Sequence, residues 1–183
     1  VLGPLLVRRE PVGVVAAVVP WNVPQFVAAA KLAPALLAGC SVVLKPSPET
    51  PLDAYVLAEI AAEAGLPRGV LSILPADREV SEYLVGHPGV DKVSFTGSVE
   101  AGRRVMEVAS RNLTRVTLEL GGKSAAVILP DADLEAAVAG IVPSAWMNNG
   151  QACVAQTRVL APRAHYDEIA ERLAAAAGAL VVG

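Results

Sequence analysis

Short runs rich in β-branched residues alternate with helical stretches of about 10 to 15 residues along the first two thirds of the chain. The pattern predicts strands near 12–19, 41–45, 70–74, 91–96 and 114–119. It predicts helices near 24–38, 52–64, 78–86 and 98–111. Because strands separated by helices form βαβ units with right-handed crossovers, we expect an α/β fold with a Rossmann-like parallel sheet flanked by helices.

The pattern changes after Glu119, where a Gly-Gly pair interrupts it. A strand near 125–129, an Ala-rich helix near 133–147, a loop through Gly150, a strand near 156–161 and a helix from about 165 follow. We therefore expect a domain over residues 1–120 and the start of a second α/β domain over 121–183, with the boundary at 120–122.

Capping residues mark two of the predicted helices. Thr50 is expected to cap the second helix, with Pro51 at its first position and Gly65 as the left-handed residue that ends it. Ser98 is expected to cap the fourth helix after Gly97, and the amides beyond such a cap can bind a phosphate. A capped turn without a ligand has the same pattern, so Ser98 alone leaves a phosphate site open.

Composition agrees with parallel strands covered by Ala-rich helices, because 54% of the residues are hydrophobic and only 4% are aromatic. A net charge of −3 leaves no basic excess for binding nucleic acid. The only cysteines, Cys40 and Cys153, supply neither a disulfide framework nor a four-ligand zinc site, which favours a cytoplasmic protein without a metal. The uncharged stretch 11–30 contains several prolines, so it predicts no membrane-spanning helix.

Polar or glycine-rich groups follow four of the five predicted strands of the first domain: Trp21-Asn22, Lys45, Gly97-Ser98, and Glu119 with Gly121-Gly122. The carboxyl ends of parallel strands meet at one edge of a sheet, and ligands bind there. The sequence therefore predicts a functional site at this edge.

Each candidate has a structural alternative. Cys153 lies in a loop after Gly150, which suits a reactive thiol, although free cysteines are more often small buried hydrophobic residues, as we expect of Cys40. Glu119 would act as a base if it were enclosed, and otherwise it is a turn residue. Lys45 has the alternative of a solvated amine on a buried stem.

Two other reaction types fit the sequence poorly. The segment 121–124, Gly-Gly-Lys-Ser, resembles the end of a nucleotide-binding P-loop, but Thr117 stands where that motif needs its first glycine. A cysteine hydrolase needs an imidazole partner, and both histidines, His87 and His165, have the sequence context of solvated or capping residues.

Five segments together carry a more specific signal than any one of them. They are Pro20-Trp21-Asn22, Lys45 to Pro51, Phe95-Thr96-Gly97-Ser98, Leu118 to Lys123 and Gly150-Gln151-Ala152-Cys153. In order and spacing, including the 153 − 119 = 34 residues from Glu119 to Cys153, the chain resembles the aldehyde dehydrogenase superfamily along its whole length.

The resemblance implies an oxidoreductase that oxidises an aldehyde to a carboxylic acid with NAD or NADP. Cys153 would attack the aldehyde carbon, and the Asn22 side chain with the Cys153 amide would hold the oxyanion of the thiohemiacetal. Hydride transfer to the nicotinamide would leave a thioester. Glu119 would then activate the water that hydrolyses this thioester.

The resemblance also implies that residues 1–120 are a coenzyme-binding domain and 121–183 the start of a catalytic domain. Ser98, in one motif with Gly97 and Gly102, would lie at the pyrophosphate, and Lys45 would lie at the adenosine ribose. Trp21 would line the site, and the Leu120 backbone would lie near the nicotinamide. The implied partners are a small-molecule aldehyde and further copies of the chain in a dimer or tetramer.

Two departures from the family pattern concern the cofactor. Pro48 stands where many relatives have a glutamate that binds ribose hydroxyls, and Glu49 follows one position later, so NAD and NADP both stay open. The segment 75–81 lacks the glycines common in relatives. An acylating enzyme that uses coenzyme A is a rival that Glu119 disfavours, and a non-catalytic remnant is another. The sequence does not identify the aldehyde.

Members of the resembled family are much longer than 183 residues, so we expect the chain to be a segment of a longer enzyme. The isolated segment is predicted to be poorly stable and nearly inactive, because its second domain would lack most of its packing partners. Aldehyde-dependent NADH formation by the purified 183-residue chain measures this, and robust formation would contradict it.

Overall fold

The first part of the chain folds around a five-stranded parallel sheet in a computed structural model that describes residues 3–181. The strands are β1 (Val14–Val18), β2 (Ser41–Lys45), β3 (Leu71–Ile73), β4 (Lys92–Gly97) and β5 (Arg115–Leu120). Four helices connect them in turn: α1 (Pro24–Leu37), α2 (Leu52–Glu63), α3 (Arg78–Gly86) and α4 (Val99–Ser110). The predicted α/β fold with a parallel sheet is confirmed.

The strand order is β3-β2-β1-β4-β5, which places the first strand in the middle of the sheet. The chain builds outward from β1 to β3, returns, and continues on the other side with β4 and β5. In such a doubly wound sheet the connections leave in opposite directions at the β1–β4 boundary, and the crevice outside the strand ends at that point is where ligands bind.

Strand β1 is buried because helices cover both faces of the sheet. One face packs Val15 and Ala17 with residues of α1, β2 and α2. The other face packs Ala16 and Val18 with β4, α3 and α4. A strand with apolar side chains on both faces is the form expected for the centre of a parallel sheet.

Residues 121–181 form a second compact unit, and the first unit ends at Leu120. This second unit contains β6 (Ala125–Val127), α5 (Leu134–Trp146), β7 (Arg158–Leu160) and α6 (Tyr166–Gly178), with short 3₁₀ helices at Met147–Gly150 and Arg163–His165. Strands β6 and β7 pair in parallel around the α5 crossover. A core of its own includes Ile128, Ile141 and Ile169.

The helix ends confirm two capping predictions and correct a third. Ser98 caps α4 by accepting a hydrogen bond from Ala101 N at 3.1 Å. Gly65 has φ = 80° after the C-terminus of α2, as predicted. Thr50 does not cap α2, because no side chain caps that helix and the Thr50 hydroxyl instead donates to the Trp21 carbonyl at 3.5 Å.

Several strands are shorter than the sequence indicated. The apolar runs at 70–74 and 156–161 contain only the three-residue strands β3 and β7, because the ladder ends where the neighbouring strand stops pairing. Among residues 3–181, no helix combines the length and hydropathy needed to cross a bilayer.

Leu44 provides a test of the core. Its side chain is 0% exposed, so Leu44→Ala is expected to lower the free energy of unfolding by about 2–5 kcal/mol through lost burial and a residual cavity. Leu37, which is 89% exposed, is the matched control, and Leu37→Ala is expected to change it by less than about 0.5 kcal/mol. Chemical denaturation measures both, and equal effects would contradict the assigned core.

Candidate active site

The parallel register of the sheet places the carboxyl ends of β1, β2, β4 and β5 at one edge of the first unit. Val18 of β1 pairs with Lys45 on one side and with Phe95 on the other. Thr96 and Gly97 of β4 pair with Glu119 and Leu120 of β5. The polar residues that end or follow β1, β2, β4 and β5 therefore lie along one edge, as predicted: Trp21, Asn22, Lys45, Gly97, Ser98, Glu119 and Leu120.

Trp21 and Asn22 lie in the short turn between β1 and α1. Pro24 is the first residue of α1, where its missing N–H breaks no helical hydrogen bond. The Trp21 side chain is 45% exposed and that of Asn22 is half-buried. A carboxamide at this strand end has the N–H donors that an oxyanion needs.

An amine and a carboxylate meet at the end of β2. Lys45 is 7% exposed, and burial lowers the pKa of its amine while the nearby Glu49 raises it. Ser47 is buried and donates a hydrogen bond to the exposed Glu49 carboxylate, which lowers the pKa of Glu49. Glu49 and Lys45 therefore interact electrostatically at the place predicted for a ribose.

The end of β4 leads directly into the N-terminus of α4. The Ser98 hydroxyl accepts a hydrogen bond from one of the first amides of α4. The positive end of the helix dipole faces the end of β4. Gly102 is buried one turn later, where a Cβ would lie 2.7 Å from the Leu120 side chain. Gly102 thus allows α4 to approach β5 closely, the role of the third glycine in dinucleotide-binding turns.

The neighbouring helix α3 begins differently. The Asp77 carboxylate accepts a hydrogen bond from Val80 N at 3.0 Å and caps this helix. A negative charge therefore occupies the N-terminus of α3, whereas the cap of α4 is neutral.

Strands β4 and β5 are apolar on one face and polar on the other. Val93 and Phe95, with Val116 and Leu118, point into the core under α3 and α4. The alternate residues form what we call the polar face of β4 and β5: Lys92, Ser94, Thr96, Arg115, Thr117 and Glu119. Lys92 Nζ donates to Thr117 Oγ1 on this face at 2.7 Å.

Lys31 of α1 joins the polar face and was missed by the sequence analysis. Its side chain is 9% exposed, and its Nζ donates to Ser94 Oγ at 3.0 Å. Burial lowers the pKa of Lys31 to about 8, with Glu119 raising it and Lys92 lowering it. The sequence did mark this position, because Lys31 is the only charged residue between Glu10 and Lys45 and it lies within an apolar helix.

Burial of this amine affects stability in a defined direction. The folded-state pKa of about 8 lies below the ordinary value of 10.5, so the unfolded chain binds more protons between these pH values. The contribution of Lys31 to the free energy of unfolding therefore rises as the pH rises through that window. It is lowest below about pH 8.

Cys153 belongs to the second unit and lies on an exposed loop after α5, as its sequence context indicated. Three successive residues before it, Asn148, Asn149 and Gly150, have φ of 51°, 57° and 73°. Ala155 N donates to the Ala152 carbonyl at 3.1 Å, so Cys153 lies in a tight turn. By contrast, Cys40 is 4% exposed in the core of the first unit.

The end of the Cys153 loop is tied to α5. Gln156 N donates to the Ser144 carbonyl at 3.3 Å, and the Ser144 hydroxyl lies 2.8 Å from Gln156 Oε1. Together with the turn at 152–155, these contacts give the cysteine a defined backbone position within its unit.

The two histidines lie at helix ends of the structure. His87 Nδ1 accepts a hydrogen bond from Gly89 N at 3.0 Å at the end of α3. His165 is the last residue of the second 3₁₀ helix and occupies the position before α6, where its side chain makes no capping hydrogen bond. Over residues 3–181, no cluster of His, Cys, Asp and Glu has the geometry of a metal site.

The edge of the first unit has the chemistry to hold an anionic ligand that also carries hydroxyl groups. The buried Lys45 amine and the neutral α4 N-terminus are cationic or partly positive, and the Glu49 carboxylate accepts hydrogen bonds. These donors and acceptors fit a dinucleotide with its pyrophosphate and ribose groups.

Comparisons with known proteins agree with this arrangement. Residues 4–183 match the model of the family described as the aldehyde dehydrogenase family. The geranial dehydrogenase of Castellaniella defragrans is 58% identical over 178 residues, which are 97% of this chain and 37% of that protein.

Solved structures extend the similarity to the fold. A Mycobacterium tuberculosis aldehyde dehydrogenase complexed with NAD+ superposes with a TM-score of 0.93 at 56% identity, covering 96% of this chain and 36% of that one. An NADP dependent enzyme of E. coli gives 0.91 at 42% identity, covering 95% and 36%. The chain thus spans little more than a third of the length of these proteins. With a family match over nearly all of its residues and this degree of identity, the chain belongs to the aldehyde dehydrogenase family.

Proposed function

We propose that this chain is the part of an NAD(P)-dependent aldehyde dehydrogenase that binds the coenzyme and carries the nucleophile. The observation that supports this most directly is the alignment of four strand ends. It brings Asn22, Lys45, Ser98 and Glu119 to one edge of the sheet. Family membership supplies the reaction class, oxidation of an aldehyde to a carboxylic acid.

Residues 1–120 are proposed to be the coenzyme-binding domain and 121–183 the start of the catalytic domain. In this proposal the α4 N-terminus at Ser98 binds the pyrophosphate, with Gly97 and Gly102 shaping the turn and the helix. Lys45 binds the adenosine ribose, Trp21 lines the site and the Leu120 backbone lies by the nicotinamide. The NAD+ complex of one similar structure and the NADP dependence of another support either cofactor.

The proposed chemistry uses three side chains of this chain. Cys153 attacks the aldehyde carbon as a thiolate, and the Asn22 carboxamide and the Cys153 amide donate hydrogen bonds to the resulting oxyanion. When bound, the nicotinamide accepts the hydride that converts the thiohemiacetal into a thioester. Glu119 then takes a proton from the water that attacks the thioester, which releases the acid.

The setting of the protein is also part of the proposal. Both cysteines are free thiols, which supports a reducing cytoplasm. A homo-oligomer, as a dimer or tetramer, is proposed from family membership alone.

Two substitutions in the complete protein test the assigned roles. Cys153→Ser is expected to abolish NADH formation while cofactor binding persists. Glu119→Gln is expected to give one burst of NADH and then to slow steady turnover by about 10²–10⁴-fold, because the thioester is no longer hydrolysed. Stopped-flow absorbance of NADH measures both, with Glu59→Gln on the exposed side of α2 as control. Normal steady turnover in either variant would remove that residue from its role.

Glu49 offers a test of cofactor choice. Its carboxylate lies near the Lys45 amine, so it is expected to repel the extra phosphate of NADP. Because Glu49 is exposed, Glu49→Gln should improve binding of NADP relative to NAD by only about two- to five-fold. Calorimetric titration of the complete protein with each cofactor measures this, with Glu63→Gln as control. An unchanged ratio would exclude Glu49 from cofactor selection.

A further inference from the structure

The loop that carries Cys153 is joined at its base by two residues to which the proposed reaction gives no role. Ser144 lies in the last turn of α5, and Gln156 lies just before β7. The Ser144 hydroxyl donates to Gln156 Oε1 at 2.8 Å, and Gln156 N donates to the Ser144 carbonyl at 3.3 Å. Both residues are half-buried. We call these two doubly hydrogen-bonded residues the 144–156 pair.

Both hydrogen bonds of the 144–156 pair involve groups at the end of α5. The last four carbonyls of a helix have no partner within it, and the Ser144 carbonyl is one of these in α5. The Ser144 hydroxyl has a single proton, for which the carbonyls of Gly140 and Ile141, each 3.0 Å away, compete. Gln156 Oε1 is the nearest acceptor, so the hydroxyl bonds to the loop instead of to its own helix.

The segment between the two residues of the pair has little packing of its own. Residues 146–154 are exposed within their unit, except for the half-buried Ala152. Asn148, Asn149 and Gly150 are all in the left-handed region, which is unfavourable for asparagine and persists only where the surrounding structure fixes it. The conformation of this segment therefore depends on hydrogen bonds, including those that close its base.

Gln156 is also held from the side of the small sheet. Strand β7 begins two residues after it and pairs with β6. Arg158 Nε donates to the Lys123 carbonyl at 2.8 Å, and Arg158 N donates to the Ser124 carbonyl at 3.2 Å. The 144–156 pair thus connects α5 to a segment that β6 and β7 fix, three residues after Cys153. A change in the pair should therefore displace the cysteine.

We propose that Ser144 and Gln156 are positioning residues for Cys153, and that their hydrogen bonds hold its sulfur and its backbone amide in the geometry for attack on a carbonyl. This inference rests on the proposed function, because it gives Cys153 the role of nucleophile. The sulfur and the oxyanion donor belong to one residue, so an error of about 1 Å in its position weakens both contributions. Ser144 and Gln156 act through Cys153 and not on the substrate.

The key variant is Ser144→Ala in the complete protein, with 4-nitrophenyl acetate as the probe. The Cys153 thiolate attacks the carbonyl carbon of this activated ester, the acetyl group forms a thioester with the sulfur, and nitrophenolate leaves in a burst that absorbance measures. We expect the rate constant of the burst to fall about 3- to 10-fold, the change in population that one net hydrogen bond produces. Gln156→Met should give the same fall, and Ser144→Thr, which keeps the hydroxyl, should restore the rate.

Three comparisons separate positioning from a merely structural role. Ser110→Ala is the matched control, because the Ser110 hydroxyl donates to the Glu107 carbonyl within α4 at 2.7 Å, and it should leave the burst unchanged. The double variant Ser144→Ala/Gln156→Met should be no slower than either single variant, since both changes remove the same bond. Alkylation of Cys153 by iodoacetamide needs an accessible thiolate but no oxyanion donor, so its rate should stay unchanged in Ser144→Ala.

The same measurements state what would overturn the inference. Alanine is favourable in a helix, so Ser144→Ala should fold, and thermal unfolding checks this. A normal burst in the folded Ser144→Ala and Gln156→Met variants would overturn the role of the pair alone. A fall that alkylation shares would also overturn it, because the thiol would then have lost reactivity and not position. An undiminished burst in Cys153→Ser would overturn the proposed function and this inference with it.

Discussion

The parallel pairing of β1 with both β2 and β4 is the constraint on which the candidate site depends. Val18 is hydrogen-bonded in register beside Lys45 and beside Phe95, so the strands end at one level. Because β4 pairs in turn with β5, residues that are distant in sequence, such as Asn22 and Glu119, reach the same edge. A shift of one residue in either ladder would turn the strand's buried side chains to the opposite face, and the apolar cores on both sides of β1 oppose such a shift.

The order of elements and the polar edge could be predicted because both follow from local patterns: apolar runs, helical stretches and polar residues at strand ends. The errors lie where a tertiary contact decides the outcome. Thr50 has the right sequence for a cap, but the Trp21 carbonyl from another loop accepts its hydroxyl. The Lys31–Ser94 contact joins residues 63 positions apart, and it depends on how α1 crosses β4. Local pattern carries no information on that crossing, although the isolated charge of Lys31 marked the position.

The two faces of β4 and β5 show a division between stability and function. The face under α3 and α4 is apolar and contributes to the core, whereas the polar face carries lysine, threonine and glutamate side chains beside a buried amine. Below about pH 8 the Lys31 charge opposes folding, so this amine does not stabilise the fold there. Buried groups with displaced pKa values and specific charge partners are typical of functional sites, and Lys31 has such a partner in Glu119.

The N-termini of α3 and α4 differ in charge, and this difference favours one of them as the binding site for an anionic cofactor. Both α3 and α4 follow strands of the same sheet, and both carry a glutamate in the first turn. At α3 the Asp77 carboxylate already accepts an amide hydrogen bond and places negative charge where a phosphate would lie. At α4 the cap is the neutral Ser98, and Gly102 lets the helix pack closely on Leu120. The N-terminus of α4 is therefore the place that the proposed function gives to a pyrophosphate.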